Sequence, residues 1–93
     1  MHAMSSDSSD ITSLREQINN VDEQIVRLLN ERATIALAIG HAKTALGKKR
    51  YDPVREGVII EHIDSVNAGP LPKGSIEEIY SAIITACREL QLK

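Results

Sequence analysis

The sequence predicts an all-α protein of three helices, one long and two shorter, that forms an intertwined helical homodimer. Apolar residues recur at alternating spacings of three and four over about 36 residues, which is the heptad pattern of a packed helix. No segment alternates apolar and polar residues as a half-buried strand does. A chain of 93 residues buries only about 60% of its unfolded surface, so a second copy is expected to cover the long helix.

The first predicted helix starts near Asp10 or Ser13, either of which can cap it, and ends at Gly47. About 37 helical residues span about 55 Å, far more than the radius of gyration of about 12 Å expected for a compact chain of this size. The preceding residues 1–9 are predicted to be a disordered tail, and residues 10–93 a helical domain. We call the apolar stripe of this helix the seam: Ile11, Leu14, Ile18, Val21, Ile25, Leu28, Ile35, Ile39, Ala42 and Leu46.

The second predicted helix opens at Asp52-Pro53, an N-cap followed by proline at the first helical position, and ends near Asn67. Its predicted inward residues are Val54, Ile59, Ile63 and Val66.

The third predicted helix opens at a capping box formed by Ser75 and Glu78, after a connector rich in glycine and proline. It carries two adjacent stripes. One consists of Ile76, Ile79, Ile83, Ala86 and Leu90, and the other of Tyr80, Ile84, Cys87 and Gln91.

Composition excludes several classes of function. The net charge is −2 and the aromatic residues are two tyrosines, so the basic surface and stacking rings of a nucleic-acid binder are missing. No run approaches the roughly 20 apolar residues of a membrane span. The single cysteine allows no intrachain disulfide, which favours a cytoplasmic protein.

Arg32 interrupts the seam where an apolar residue belongs, and a guanidinium in that position needs an anionic partner. Lys43 lies three turns further on the same face. The two cations could bind an anionic ligand, or Arg32 could pair with a nearby acid such as Asp22 or Glu31. Arg15 precedes Arg32 by 17 residues, about 25 Å of helix, so the two meet one small ligand only across an antiparallel dimer. Alternatively, Arg15 is a solvated charge beside the seam.

Five other side chains remain open to both functional and structural interpretations. Asp52, Arg55 and Glu56 lie where a helix start favours anions or hydroxyl groups, but they could equally be a cap with a surface ion pair. Cys87 and Gln91 share one edge of the third helix, where a cysteine is usually a small apolar residue and a glutamine is usually solvated.

The sequence has no metal-binding spacing of His and Cys, no nucleophile paired with a base, and no glycine-rich phosphate loop. An enzyme with these residues would hold and polarise an anion without covalent chemistry, a metal or another cofactor.

Several short motifs together resemble the all-helical class of chorismate mutase over about residues 11–91. They are Leu14-Arg15-Glu16, Val21-Asp22, Leu28-Leu29-Asn30-Glu31-Arg32, Gly40-His41-Ala42-Lys43, Tyr51-Asp52-Pro53-Val54-Arg55-Glu56 and Gln91. The resemblance implies an intertwined dimer with shared active sites that rearranges chorismate to prephenate, an isomerase of phenylalanine and tyrosine biosynthesis.

The resemblance also implies roles for the candidate residues. Arg32 and the partner chain's Arg15 would hold the two carboxylates of chorismate, and Lys43 and Gln91 would donate to its ether oxygen. Glu56 and the backbone at Asp52 would bind the ring hydroxyl of chorismate, and Arg55 would order that end of the site. Cys87 stands where the family often has a small hydroxyl residue.

Two further readings accompany this one. Two segments, Gly69-Pro70-Leu71-Pro72 and Ala86-Cys87-Arg88-Glu89-Leu90-Gln91, also resemble mutase domains fused to a prephenate dehydratase or a DAHP synthase. A fused or associated aromatic-pathway enzyme is therefore a candidate partner. The alternative function is a catalytically silent helical dimerisation or regulatory module of such an enzyme. A dimeric nucleic-acid-binding protein would need a basic face that the sequence does not supply.

Overall fold

The computed structural model describes the backbone of residues 2–93 and the side chains of residues 9–93. It contains three helices, α1 (His2–Ala45), α2 (Pro53–Val66) and α3 (Lys73–Gln91), and no strand among residues 2–93. The predicted all-α fold of one long and two shorter helices is confirmed. None of these helices combines the length and apolar character that a membrane crossing requires.

Helix α1 begins earlier than the sequence indicates, at His2 and not near Asp10 or Ser13. Residues 2–10 contain neither glycine nor proline, so nothing in them stops the helix from extending toward its N-terminus. The expected disorder of residues 1–9 stays a prediction, and its first residue lies outside the described backbone.

The end of α1 follows the prediction. Gly47 has a φ of +70°, the left-handed conformation that glycine adopts without a Cβ clash. The N–H of Lys48 donates to the carbonyl of Lys43 at 2.8 Å, and the N–H of Gly47 donates to that of Thr44 at 3.0 Å. This pair of hydrogen bonds is the Schellman motif, and it satisfies carbonyl groups that the last helical turn leaves unpaired.

The chain forms two compact units, one ending at Glu31 and the other spanning Arg32–Lys93. In the first unit the seam is exposed, with relative exposures from 47% at Ile25 to 60% at Ile18. The second unit contains the rest of α1, together with α2 and α3. Its buried side chains include Ala36 on α1 and Ile84 and Cys87 on α3.

Helix α2 begins as predicted, because the Asp52 carboxylate accepts a hydrogen bond from the backbone N–H of Arg55 at 3.0 Å. It ends at Val66 with Asn67 as its C-cap. The predicted inward face is only half right. Ile59 and Ile63 are half-buried, but Val54 and Val66, in the first and last turns of α2, are 78% and 61% exposed.

Helix α3 begins at Lys73, so the predicted capping box of Ser75 and Glu78 is wrong. Pro72 is in an extended conformation and its carbonyl accepts the N–H of Ile76 at 3.1 Å, which starts the helix without a side-chain cap. Of the two predicted stripes, the one with Tyr80, Ile84, Cys87 and Gln91 faces inward, and Ile79 on the other is 46% exposed.

Helices α2 and α3 also bring two carboxyl groups together, Asp64 and Glu77. A hydrogen bond with Asp64 is the main cause that raises the pKa of Glu77, and desolvation and the negative charge of Asp64 raise it further. A raised pKa means that protonation of Glu77 favours the folded state. That contribution is fully present below the ordinary pKa of 4.5 and is lost as the pH rises through the folded value.

We therefore expect Glu77→Gln to raise Tm at about pH 7 and to change it little at about pH 4, because an amide donates to Asp64 at either pH. Thermal unfolding at both pH values measures the difference. Glu78→Gln, at the exposed neighbouring position, is the control and should not show this pH dependence. An equal change in Tm at both pH values for Glu77→Gln would contradict the prediction.

Candidate functional site

A cavity of about 640 Å³ lies within the second unit, against the end of α1, the start of α2 and the inward face of α3. Its walls are apolar where Ile35, Ile39, Ile59 and Ile84 contribute, and its charged groups are mostly cationic. Five cations line it against two carboxylates. The cations are Arg32, Lys43, Arg50, Arg55 and Arg88, and the carboxylates are Asp52 and Glu56. Such an excess of positive charge favours an anionic ligand.

Arg32 points into this cavity from α1 and donates from Nη1 to Sγ of Cys87 at 3.1 Å. Neither of the two ion pairs among residues 9–93 includes Arg32, so the alternative pairing with Asp22 or Glu31 is not formed. Cys87 is buried, at 8% exposure, and is a free thiol. A weakly accepting sulfur does not neutralise a guanidinium, which leaves Arg32 able to bind a carboxylate.

Lys43 connects α1 with the start of α2. Its Nζ lies 3.5 Å from Oδ2 of Asp52 and 3.5 Å from the backbone carbonyl of Arg50. The hydrogen bond from the backbone N–H of Arg55 is the main cause that lowers the pKa of Asp52, and Lys43 lowers it further. Asp52 is therefore an anion at neutral pH, and it orients the ammonium group at the cavity wall.

Glu56 faces the cavity from the first turn of α2 and pairs with Arg88 on α3. Nη1 of Arg88 lies 3.2 Å and 3.4 Å from the two carboxylate oxygens of Glu56. The same guanidinium lies over the ring of Tyr51, 5.1 Å from its centre. Arg88 thus holds the carboxylate of Glu56 in place from the side of α3.

Gln91 is the last residue of α3, and its side chain reaches across to α1. Its Nε2 donates to the backbone carbonyl of Ala36 at 2.6 Å. The backbone carbonyl of Gln91 accepts a hydrogen bond from Nη1 of Arg50. A carboxamide has two N–H donors, so one remains for a ligand after the bond to Ala36 is made.

Seven of the eight predicted site residues line this one cavity: Arg32, Lys43, Asp52, Arg55, Glu56, Cys87 and Gln91. Arg15 belongs to the first unit, where it is exposed, and it does not line the cavity. Sequence reasoning missed two arginines, Arg50 and Arg88. Their partners lie 41 and 32 residues away in the chain, and no local periodicity indicates either contact.

The arrangement can bind an anion and donate hydrogen bonds to it. Arg32 and Lys43 on α1 and Gln91 on α3 offer donors beside apolar side chains of the same cavity. Among the described side chains, no group of three or more His, Cys, Asp or Glu is arranged to hold a metal ion.

Residues 14–92 match the family model described as chorismate mutase type II. A bifunctional chorismate mutase/prephenate dehydratase from Aquifex aeolicus is 39% identical over 88 residues, which cover 90% of this chain and 24% of the relative. An intracellular chorismate mutase from Mycobacterium tuberculosis is 40% identical over 52 residues, 56% of this chain and 50% of that protein. The chain spans about a quarter of the length of the bifunctional relatives it matches.

The fold is also similar to that of a solved protein. The structure of a chorismate mutase (form II) from Thermus thermophilus superposes with a TM-score of 0.86 at 34% sequence identity. The match covers 89% of this chain and 94% of that protein. The likeness therefore extends over the helices that build the cavity as well as over the seam.

Proposed function

This chain belongs to the chorismate mutase type II family, and we propose that it catalyses the rearrangement of chorismate to prephenate in phenylalanine and tyrosine biosynthesis. The observation that carries the proposal is the cationic cavity in which Arg32, Lys43 and Gln91 come together. In this rearrangement a carbon–oxygen bond breaks while a carbon–carbon bond forms, and no proton is transferred. A site that binds, folds and polarises its substrate is sufficient for such a reaction.

We assign the donors of the cavity by their position and chemistry. Arg32 would bind one carboxylate of chorismate, with the buried thiol of Cys87 beneath its guanidinium. Lys43 and the remaining N–H of Gln91 would donate to the ether oxygen, where negative charge develops as the bond breaks. Lys43 supplies a charged donor, and Gln91 supplies a neutral one.

The other end of the substrate would lie against the first turn of α2. The carboxylate of Glu56 would accept a hydrogen bond from the ring hydroxyl, and a backbone N–H near Asp52 would donate one to it. Arg55, which lines the cavity there, would order this end of the site. The reaction as proposed involves only side chains and backbone groups of the protein, with no cofactor or metal ion taking part.

The second carboxylate of chorismate would be bound by Arg15 of a second copy. The exposed seam of the first unit supports this assignment, since a heptad stripe that is about half exposed in one chain can pack against the same stripe of another. In an intertwined twofold dimer each cavity would receive Arg15 from the partner subunit, and the active sites would be shared.

Partner and location follow from the reaction and from the relatives. Because similar proteins combine the mutase with a prephenate dehydratase, we expect an enzyme of that pathway, fused or associated, to consume the product. Relatives named as intracellular support a cytoplasmic location.

Loss of chorismate absorbance on adding purified protein, with prephenate identified as the product, tests the proposal. We expect saturable conversion well above the uncatalysed rate, and loss of most of that activity in Arg32→Ala. A folded protein with no conversion above the uncatalysed rate would contradict the proposal and would favour the silent dimerisation or regulatory module.

A further inference from the structure

The end of α3 carries Gln91 at a place where helices usually fray, because the last four carbonyl groups have no partner within the helix. A catalytic carboxamide on this turn needs an anchor from elsewhere in the fold. Arg50, in the loop between α1 and α2, provides one by donating from Nη1 to the backbone carbonyl of Gln91. A cation at a helix C-terminus also interacts favourably with the helix dipole.

Arg50 is itself held in position. Its Nε donates to Oγ1 of Thr44 at 2.8 Å, and that hydroxyl donates to the backbone carbonyl of Gly40 at 3.1 Å. Thr44 and Gly40 both lie on α1, so the guanidinium is fixed to this helix while it holds the end of α3. Arg50 is half-buried, and its hydrogen bond to the carbonyl of Gln91 is partly shielded from water, whereas the one to Thr44 is exposed.

The same residue also contacts Lys43, the other proposed donor to the ether oxygen. The backbone carbonyl of Arg50 lies 3.5 Å from Nζ of Lys43. Arg50 therefore contacts Lys43 through its carbonyl and Gln91 through its side chain. The side chain of Arg50 contacts the backbone of Gln91, whereas Ala36 accepts a hydrogen bond from its carboxamide.

We propose that Arg50 is a positioning residue that fixes the carboxamide of Gln91 beside Lys43 in the geometry the reaction needs. The inference rests on the proposed function for its catalytic meaning, but the anchor itself can be measured without substrate. Arg50 acts through Gln91, so its removal changes how well the transition state is stabilised more than how tightly the substrate binds.

The kinetic test compares Arg50→Leu, which keeps the apolar stem, with Arg50→Lys, which restores one donor. We expect kcat to fall by about tenfold to a hundredfold in Arg50→Leu, with KM changed by less than about threefold, and to recover partly in Arg50→Lys. Lys49→Leu removes a charge from the exposed neighbouring residue and should leave kcat unchanged. When Gln91→Ala is already present, adding Arg50→Leu should lower kcat by less than about twofold. An equal loss in both backgrounds, or no loss in either, would overturn the proposal.

Amide hydrogen exchange separates the anchor from the activity. In Arg50→Leu the N–H groups of Gln91 and Leu92 should exchange at least about tenfold faster than in the wild type, while the middle of α3 is unaffected. Thr44→Val removes the hydroxyl that accepts a hydrogen bond from Arg50, so it should speed exchange at Gln91 and Leu92 by a smaller factor. This variant provides the test if Arg50→Leu does not fold. Unchanged exchange in folded variants would overturn the anchor even if the protein is active. If Arg50→Leu exchanges faster but the wild-type protein itself does not convert chorismate, the anchor would be supported and the proposed function refuted.

Discussion

Two nearly inactive variants, Arg15→Ala and Arg32→Ala, should recover about a quarter of wild-type activity when they are unfolded, mixed in equal amounts and refolded together. Each homodimer lacks one carboxylate anchor in every site. The two arginines are 17 residues apart, about 25 Å along an ideal helix, so a single small substrate can contact both only if they come from different chains.

Random pairing makes about half of the dimers hybrids. In each hybrid one site takes Arg15 and Arg32 from the two chains that retain them, and the other site lacks both, so about a quarter of all sites are intact. The prediction is measured as kcat per chain after refolding, with each parent carried through the same procedure alone. Native mass spectrometry confirms that hybrids form.

A second mixture separates shared sites from sites built within one chain. When wild type is mixed with the Arg15→Ala/Arg32→Ala double variant, shared sites leave both sites of every hybrid incomplete, and about a quarter of all sites stay intact. Sites within one chain would leave one intact site in each hybrid, and about half of all sites would be active. Half activity here, together with no recovery in the first mixture, would contradict the shared-site assignment.

The helix boundaries show which features of the fold were predictable from sequence. The cap at Asp52 and the turn at Gly47 were predicted correctly because each depends on a residue whose side chain or φ angle makes the local hydrogen bonds possible. The start of α3 was missed because the helix begins with a hydrogen bond to the backbone carbonyl of Pro72. Every residue has a backbone carbonyl, so the sequence does not indicate which one begins a helix. Ser75, in the same first turn, offered a side-chain cap that the helix does not use.

The candidate site divides in a similar way. Arg32 could be recognised because a cation breaks an apolar seam, and residues such as Glu56 and Gln91 because they match a family pattern. Neither Arg50 nor Arg88 was predicted as a site residue, although Arg88 lies in the segment that resembles fused mutase domains. Their importance depends on which loop and which helix end meet in space, and only the packing of α3 against α1 and α2 determines that.

Gln91→Glu should convert a nearly flat pH profile into a steep one, because a carboxyl group donates a hydrogen bond to the ether oxygen only while it is protonated. The carboxamide has no titrating proton, so we expect wild-type kcat to vary little between about pH 6 and pH 9. In the variant, kcat should fall about tenfold per pH unit above the pKa of the new carboxyl, until the loss approaches the roughly 10²- to 10³-fold typical of one missing oxyanion donor.

The measurement is kcat across that pH range for wild type, Gln91→Glu and Gln91→Ala. Gln91→Ala should be uniformly slow at every pH, since it has no donor to lose. Gln17→Glu adds the same charge at an exposed position on α1 outside the cavity, and its profile should follow the wild type. A Gln91→Glu enzyme that keeps wild-type kcat at about pH 9 would mean that the group at position 91 does not donate to the breaking bond. The anchoring of this residue by Ala36 and Arg50 would then serve the stability of α3 alone.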